Sequence, residues 1–300
     1  MGASRGGYRC RVADIRTAKP EDLDDIFDLL STRSRAAFGI SEIVREHVEQ
    51  ALNRPNGTDR WVALDGAEVV GYAALSSSHD LVHAAADPGV GDALFAHAEA
   101  RAAERGFSNV SITTVPEDKP LSALVARHGL THERDVLRMW RAIDGALPDP
   151  RWPAGVSVRP YEDADSERVH ALLDANYGSW DATYIAVPHD EWVAFMTDHS
   201  EFDPELWFLV ERNGELVACA LHWKDHQRSG WVKDIVVTES ERGRGLGKAL
   251  LHHGLHAYAG RDAERVGLKV DSTNPTGALQ LYASVGFVTD RRYGIWEHTL

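Results

Sequence analysis

The sequence predicts a mixed α/β protein, α+β in character, built as two similar domains in tandem, and three observations carry that prediction. The chain has 300 residues, which suits two domains of about 150. A stretch reading DGALPDPRWPAG, from Asp144 to Gly155, interrupts it near the middle, where Pro148, Pro150 and Pro153 stop any helix or central strand. On either side of that stretch the same order of elements can be read, at a period too long for a solenoid. The division this gives is a domain over 1–147, a linker over 148–155 and a domain over 156–300.

The elements follow in parallel. Ile15-Arg16 begins a short strand, and PEDLDDIFDLL continues as an amphipathic helix with Leu23, Ile26, Leu29 and Leu30 on one face. VSVRPYEDADSERVHALL repeats the pair in the second half, with Val169, Leu172 and Leu173 as the helix face. A hairpin comes next in each copy, across Asp65-Gly66 in RWVALDGAEVVGYAAL and across Asn213-Gly214 in LWFLVERNGELVACAL. The copies also close alike, since HGLTHERDVLRMWRAI and VGFVTDRRYGIWEHTL each follow a helix and each reads as a pair of strands. Each half therefore runs strand, one or two helices, three strands, helix, strand, helix and a final strand pair.

Composition narrows the class. Hydrophobic residues make up 43% and charged residues 26%, enough to bury a sizeable core. A formal net charge of −14 argues against a general nucleic-acid or anionic-membrane binder and weakly favours cationic partners. Cys10 and Cys219, one in each half, form neither a disulfide framework nor a zinc site, so a reducing, cytoplasmic setting is expected. No apolar stretch approaches the roughly 20 residues of a membrane span. The amino terminus lacks the apolar core of a secretory signal, and Gly6 stands where the myristoylation pattern that Gly2 would begin needs Ser or Thr.

The most informative stretch runs from Gly230 to Gly260. Trp231 to Val237 reads as a buried strand, and Leu250, Leu251, Leu255 and Tyr258 share one face of a helix. Between them lies Arg242-Gly243-Arg244-Gly245-Leu246-Gly247, a turn whose glycines let backbone approach a ligand and whose amides, at a helix start, favour an anion such as phosphate. Neither the P-loop nor the dinucleotide fingerprint fits, because the glycines recur at every second position and no Gly-Lys-Ser/Thr ending has P-loop spacing.

Arg242-x-x-Gly245-x-Gly247 after an Ile-Val-Val strand resembles motif A of the GNAT acetyltransferase superfamily. A second signature follows RVGLKVD, with Asn274, Ala278, Leu279, Tyr282, Gly286 and Phe287 at the matching positions. The resemblance implies two tandem GNAT-like domains, each a twisted mixed sheet flanked by helices, with a splayed strand pair holding acetyl-CoA as co-substrate. It assigns CoA contacts to Ile235, Val236, Val237, Arg242, Gly243, Arg244, Gly245, Leu246, Gly247, Lys248 and Asn274, with Asn274 also readable as a helix cap before Pro275. It makes Tyr282 the acid that protonates the departing thiolate, a residue that would otherwise read as helix packing.

A base is needed to take the proton of the acceptor amine. Asp234, a carboxylate in an apolar strand, is the candidate, with pairing to Lys233 or Arg265 as its structural reading. Many family members carry a Glu where this chain has Trp231, so water linked to Asp234, Glu191 or His222 stays open as the base. His252 and His256, one turn apart, read as solvent-facing rather than as metal ligands, and no metal is expected. Tyr177 to His199, with Trp180, Tyr184, His189 and Trp192, is readable either as substrate recognition or as helix packing.

The first copy lacks these features. Gly89 and Gly91 remain, but Asp87 brings negative charge to the loop, Val125 falls where the second copy has Tyr282, and Glu117 where it has Asn274. The first domain is expected to complete the substrate pocket or to stabilise the second without transferring acetyl groups. The expected function is acetyl transfer to a primary amine of a small metabolite or antibiotic, by a monomer or homodimer. The alternatives are acetylation of a protein amino terminus or lysine, or a non-catalytic acyl-CoA sensor.

Overall fold

The computed structural model describes residues 14–53, 57–180, 184–198, 200–224 and 228–300. Gly2, Gly6, Cys10 and His199 lie outside the described residues. The chain divides into two compact units, Met1–Arg134 with Tyr293–Leu300, and Asp135–Arg292.

The first unit contains β1 (Asp14–Thr17), α1 (Leu23–Phe38), α2 (Arg45–Asn53), β2 (Asp59–Asp65), β3 (Glu68–Leu75), β4 (Leu81–Ala85), α3 (Pro88–Glu104), β5 (Asn109–Thr114) and α4 (Lys119–Arg127). β1 to β4 form an antiparallel ladder in chain order. One parallel bridge, Asp80 to Ser111, marks where β4 and β5 meet. Helices cover both faces of the sheet, with Leu94, Phe95, Ala98 and Leu124 packed on one side and Ile26, Val48, Val62 and Tyr72 on the other.

The second unit holds β7 (Ser157–Pro160), α5 (Ser166–Gly178), α6 (His189–Thr197), β8 (Trp207–Arg212), β9 (Glu215–Lys224), β10 (Ser229–Val237), α7 (Leu246–Ala259), β11 (Arg265–Asp271) and α8 (Ala278–Val285). β7 to β10 are antiparallel in order, and β10 then pairs in parallel with β11. One core packs Leu250, Leu251, Leu255 and Tyr258 of α7 against Val232, Leu268 and Val270. The other packs Val169, Leu173 and Trp192 against Trp207, Leu209 and Leu221. Leu250 has no exposure, so truncating it to Ala is expected to cost about 3 kcal/mol.

The final segment of each half is one long strand, not the expected pair. β6 is Thr131–Ala142 and β12 is Val288–Thr299. Thr131–Ala142 contains no Gly, Asn or Pro to turn the chain, and Gly294 in β12 does not take a positive φ. Residues 136–142 pair with the free edge of β11, and residues 294–299 pair with β5. The compact units are therefore cut differently from the division at 148–155, because each final strand satisfies the open edge of the sheet in the other sequence half.

Both units fasten their first strand to their first helix in the same way. Arg16 donates to both oxygens of Asp22 at 2.7 Å, and Arg159 to both oxygens of Asp165 at 2.6 Å. Each Asp also accepts a backbone N–H, from Lys19 or from Glu162. The guanidinium bonds hold both carboxyls below the usual range. The second hairpin turns on Asn213 and Gly214, both at positive φ as a type I′ turn demands. In the first, Asp65 pairs with Glu68, so the turn lies one residue later than expected, with Gly66 first. Among the described residues, no helix is long and apolar enough to cross a membrane.

Candidate active site

β10 and β11 pair only from Ser229 with Arg265 to Val232 with Leu268, and beyond that point they separate. At the same point β10 slips against β9, where Val232 faces His222 and Asp234 faces Leu221, leaving Lys233 as an extra residue. The bulge reverses which way later side chains face. Val232 packs into the α7 core, and after the bulge Ile235 and Val237 do so too, while Val236 joins the α5 core. Asp234 is thereby turned toward α5, where the hydroxyl of Tyr177 donates to it at 2.5 Å.

The parting strands open a cavity of roughly 480 Å³. Its lining includes Asn176, Tyr177, Trp180, Lys233, Asp234, Ile235, Val237, Arg242, Gly243, Gly245, Leu246, Gly247, Lys248, Asn274 and Tyr282, all in the second unit. The structure thus brings together most of the expected residues. Val236 and Arg244 do not line it: Val236 is buried in the opposite core, and exposed Arg244 lies 3.7 Å from Glu241.

Asp234 is only 7% exposed, and besides Tyr177 it accepts from Lys233 at 3.2 Å. The expected structural partner Lys233 is thus present, yet the pair lies in the cavity wall rather than on an open strand surface. Lys233 also sits over the rings of Trp223 and Phe195, at 5.6 and 5.9 Å. Tyr177 is raised well above the ordinary tyrosine range, first by the charge of Asp234 and then by burial. Tyr282 is raised as well, first by burial and then by Asp234. Both phenols therefore hold their protons at neutral pH.

The turn before α7 has the form an anion needs. Gly243 and Gly245 take positive φ, +76° and +89°, which an L side chain resists. The first helical hydrogen bond runs from Ala249 N–H to Gly245 O, so the amides of residues 246–248 have no acceptor within the helix. No side chain caps this end. A Cβ on Gly247 would come within 2.9 Å of Leu281, so that glycine permits close contact of α7 with α8. Arg242 donates to Val237 O at 3.2 Å and to the side-chain oxygen of Asn176 at 3.0 Å, tying the end of β10 to α5. Glu241, buried beneath the turn, accepts from Arg212 at 3.0 Å through one oxygen and at 3.2 Å through the other. The free amides and Lys248 fit a pyrophosphate.

Other expectations change. Asn274 does not cap a helix beginning at Pro275, because α8 starts at Ala278 after Gly277. Its side chain instead accepts from the backbone and hydroxyl of Thr276, at 2.9 and 2.5 Å, and so shapes the cavity rim. His222 is buried among Phe208, Tyr258 and Gly254, away from the cavity, and burial lowers its pKa to about 3. Glu191 is exposed on α6 and does not line the cavity. His252 is 7% exposed rather than solvent-facing, and His256 meets Pro148 O at 3.2 Å. In the aromatic stretch, Tyr177 and Trp180 face the cavity, Trp192 is core, His189 stacks on Trp192, and Tyr184 stacks on Tyr177 while donating to Asp174. Sequence reasoning gave Lys233 and Asn176 no role at the site itself, and it left Tyr177 between substrate recognition and helix packing. Tyr177, four residues after Leu173, carries only the periodicity of a packed helix face.

The equivalent turn of the first unit is closed to anions. Asp87 caps α3 itself, accepting from Gly89 N–H at 2.8 Å and Val90 N–H at 3.0 Å. Val125 is buried against the core of that unit.

Residues 167–287 match the family described as Acetyltransferase (GNAT) family. The mycothiol acetyltransferase of Thermobispora bispora is 32% identical over 255 residues, covering 78% of this chain and 81% of its own. That of Streptomyces coelicolor is 30% identical over 308 aligned positions, covering 95% and 94%. Among solved structures, a GCN5-related N-acetyltransferase from Sphaerobacter thermophilus superposes with a TM-score of 0.75 at 24% identity, covering 95% of each chain. A tandem GNAT protein from the clavulanic acid biosynthesis pathway superposes with a TM-score of 0.73 at 18% identity, covering 95% and 98%.

Proposed function

The chain belongs to the GNAT acetyltransferase family, and from that premise we propose that its second unit transfers an acetyl group from acetyl-CoA to a primary amine of a small metabolite or antibiotic. One observation carries the reading: the uncapped turn, Asp234 and Tyr282 line a single cavity at the point where β10 and β11 part. Bound acetyl-CoA supplies a thioester carbonyl open to attack by an amine. The turn amides and Lys248 hold its pyrophosphate, and the edge of β10 beyond Val232, unpaired with β11, offers amides to the arm and to the carbonyl oxygen.

Asp234 draws a cationic acceptor to the cavity and takes the proton that frees its amine for attack, and the second proton, shed by the nitrogen after attack, replaces the one that Tyr282 gives to the departing thiolate. Tyr177 and Lys233 orient the carboxylate until the acceptor ammonium takes the place of Lys233. Tyr177 and Trp180 add aromatic faces suited to a cation. Part of the raised proton affinity of Tyr282 comes from the charge of Asp234. When Asp234 becomes neutral that part vanishes, so Tyr282 becomes a stronger acid at the moment a thiolate, of ordinary pKa about 8.5, must be protonated.

The relatives named mycothiol acetyltransferases make an acceptor of the mycothiol class the first to test. A panel of amines, aminoglycosides and lysine peptides is followed for thiol release, and the product is weighed by mass spectrometry. An N-acetylated small amine is expected. Acetylated peptide alone would replace the reading with a protein acetyltransferase, and CoA binding without turnover on any amine would replace it with a sensor.

A further inference from the structure

Three lysines line the active-site cavity, Lys233, Lys248 and Lys269. Lys248 stands on α7 beside the turn, and Lys269 is exposed on β11. Lys233 differs from both, because its Nζ donates to Asp234 Oδ2 at 3.2 Å and its side chain is only 28% exposed. The cavity therefore already holds a primary amine against the carboxylate that the reaction uses as base.

Lys233 also stands where the donor has to lie. It is the extra residue of the β10 bulge and the first residue beyond the last pairing of β10 with β11, so the unpaired edge that receives the thioester begins at its own backbone. Its four-carbon stem is flexible, and a cation–π contact to Trp223 and Phe195, at 5.6 and 5.9 Å, restrains the ammonium only weakly. Attack needs Nζ about 3–3.5 Å from the carbonyl carbon, and rotation about the stem torsions is the motion that brings it there. Tyr282, the proton donor for the thiolate, lines the same cavity.

We propose that Lys233 is a site of self-acetylation, at which the protein modifies its own amine when acetyl-CoA is bound and no acceptor is present. The inference rests on the acetyl-CoA reading above. The ammonium gives one proton to Asp234, and the nitrogen lone pair forms the C–N bond to the carbonyl carbon. Collapse of the adduct breaks the C–S bond, the thiolate takes the Tyr282 proton, and the second proton shed by the nitrogen restores Tyr282. The products are an uncharged acetyl-lysine, the free CoA thiol and a protonated Asp234, which passes its proton to water. The new amide has no charge to pair with Asp234 and fills the place of an acceptor ammonium, so the modified protein is arrested. A bound acceptor displaces Lys233 and spares it.

The test incubates the full chain with acetyl-CoA and no amine, and follows intact mass and peptide maps with time. One acetyl group on Lys233 is expected, at a rate independent of protein concentration, because amine, base and acid line one cavity. Tyr282→Phe and Asp234→Asn should each slow that labelling by at least about tenfold. Turnover in the amine panel should fall in proportion to the fraction labelled, whereas Lys233→Arg, which keeps the charge and takes no acetyl group, should leave the same incubation with its own starting rate undiminished. Labelled protein that keeps full turnover would overturn the arrest. An unmodified Lys233 in protein shown by calorimetry to bind acetyl-CoA overturns the proposal and leaves the acetyl-CoA reading standing. So does acetylation spread over Lys19, Lys119 and Lys224, or labelling of Lys233 that neither variant slows, since both are the chemistry of any surface amine. If acetyl-CoA does not bind, the acetyl-CoA reading fails and this proposal fails with it.

Discussion

At the start of α3 the amides of Gly89 and Val90 are taken by the carboxylate of Asp87, whereas at the start of α7 no side chain covers the amides beside Gly245. The surrounding scaffold is shared, since both units keep the same guanidinium clamp on their first helix and helices on both sheet faces. An aspartate cap contributes about 1 kcal/mol to a helix end. The second unit goes without that stabilisation, and the vacated amides can hold a ligand anion. The difference teaches that the amides of a helix start on this scaffold can be closed by a side chain of the chain itself, with the fold retained.

The largest effect expected from pressing this comparison is at Tyr282. Tyr282→Phe should lower kcat by about 10²- to 10³-fold while CoA affinity holds, and Val125→Tyr in the first unit should create no activity. Unchanged turnover in Tyr282→Phe would remove the acid assignment. Asp234→Asn should lower kcat by about 10²-fold and flatten the rise of rate with pH; an unaltered pH profile would defeat its role as base.

Acid comes next, because each unit buries a neutral histidine. Burial lowers His83 to about 4 and His222 to about 3, from an ordinary value near 6.5. Between those values and 6.5 the unfolded chain binds the extra proton, so stability is full above pH 6.5 and falls as pH drops. By pH 5 each should have cost about 2 kcal/mol, and below pH 4 only His222 should go on costing. Hydrogen exchange resolved by unit across pH 7 to 4 measures this, with His83→Gln and His222→Gln each expected to flatten the slope in its own unit.

Gly245→Val should weaken CoA binding by about tenfold, since the residue sits at positive φ in the middle of the turn. Wild-type affinity in that variant would dissociate CoA binding from the turn. The smallest effect is Asp87→Ala, a loss of about 1 kcal/mol in thermal stability with kcat unchanged. A change in turnover there would mean that the first unit takes part in the reaction.

Much of this was legible in the sequence because it rests on local rules. Asn213-Gly214 demands its turn, Arg242 to Gly247 its glycines, and the periodicity of Val169 and Leu173 its buried face. What escaped depends on partners remote in sequence. Nothing in HERDVLRMWRAI says which sheet edge is open to it, so the exchange of final strands could not be read. A one-residue bulge at Lys233 leaves the apolar pattern of WVKDIVV intact, yet it decides that Asp234 meets Tyr177. Asn274 and Pro275 look like a helix start, but the helix waits for Ala278 because Gly277 takes a left-handed φ of +81° that breaks the run. His252 reads as exposed until α8 and the linker come to rest beside it.

The pairing of residues 294–299 with β5 sets a clock on synthesis. After β5 has left the ribosome, its edge waits for a strand translated on the order of tens of seconds later. Through that interval the nascent first unit exposes an unmatched row of amides and carbonyls, the kind of surface that chaperones bind and that pairs wrongly in crowded polysomes.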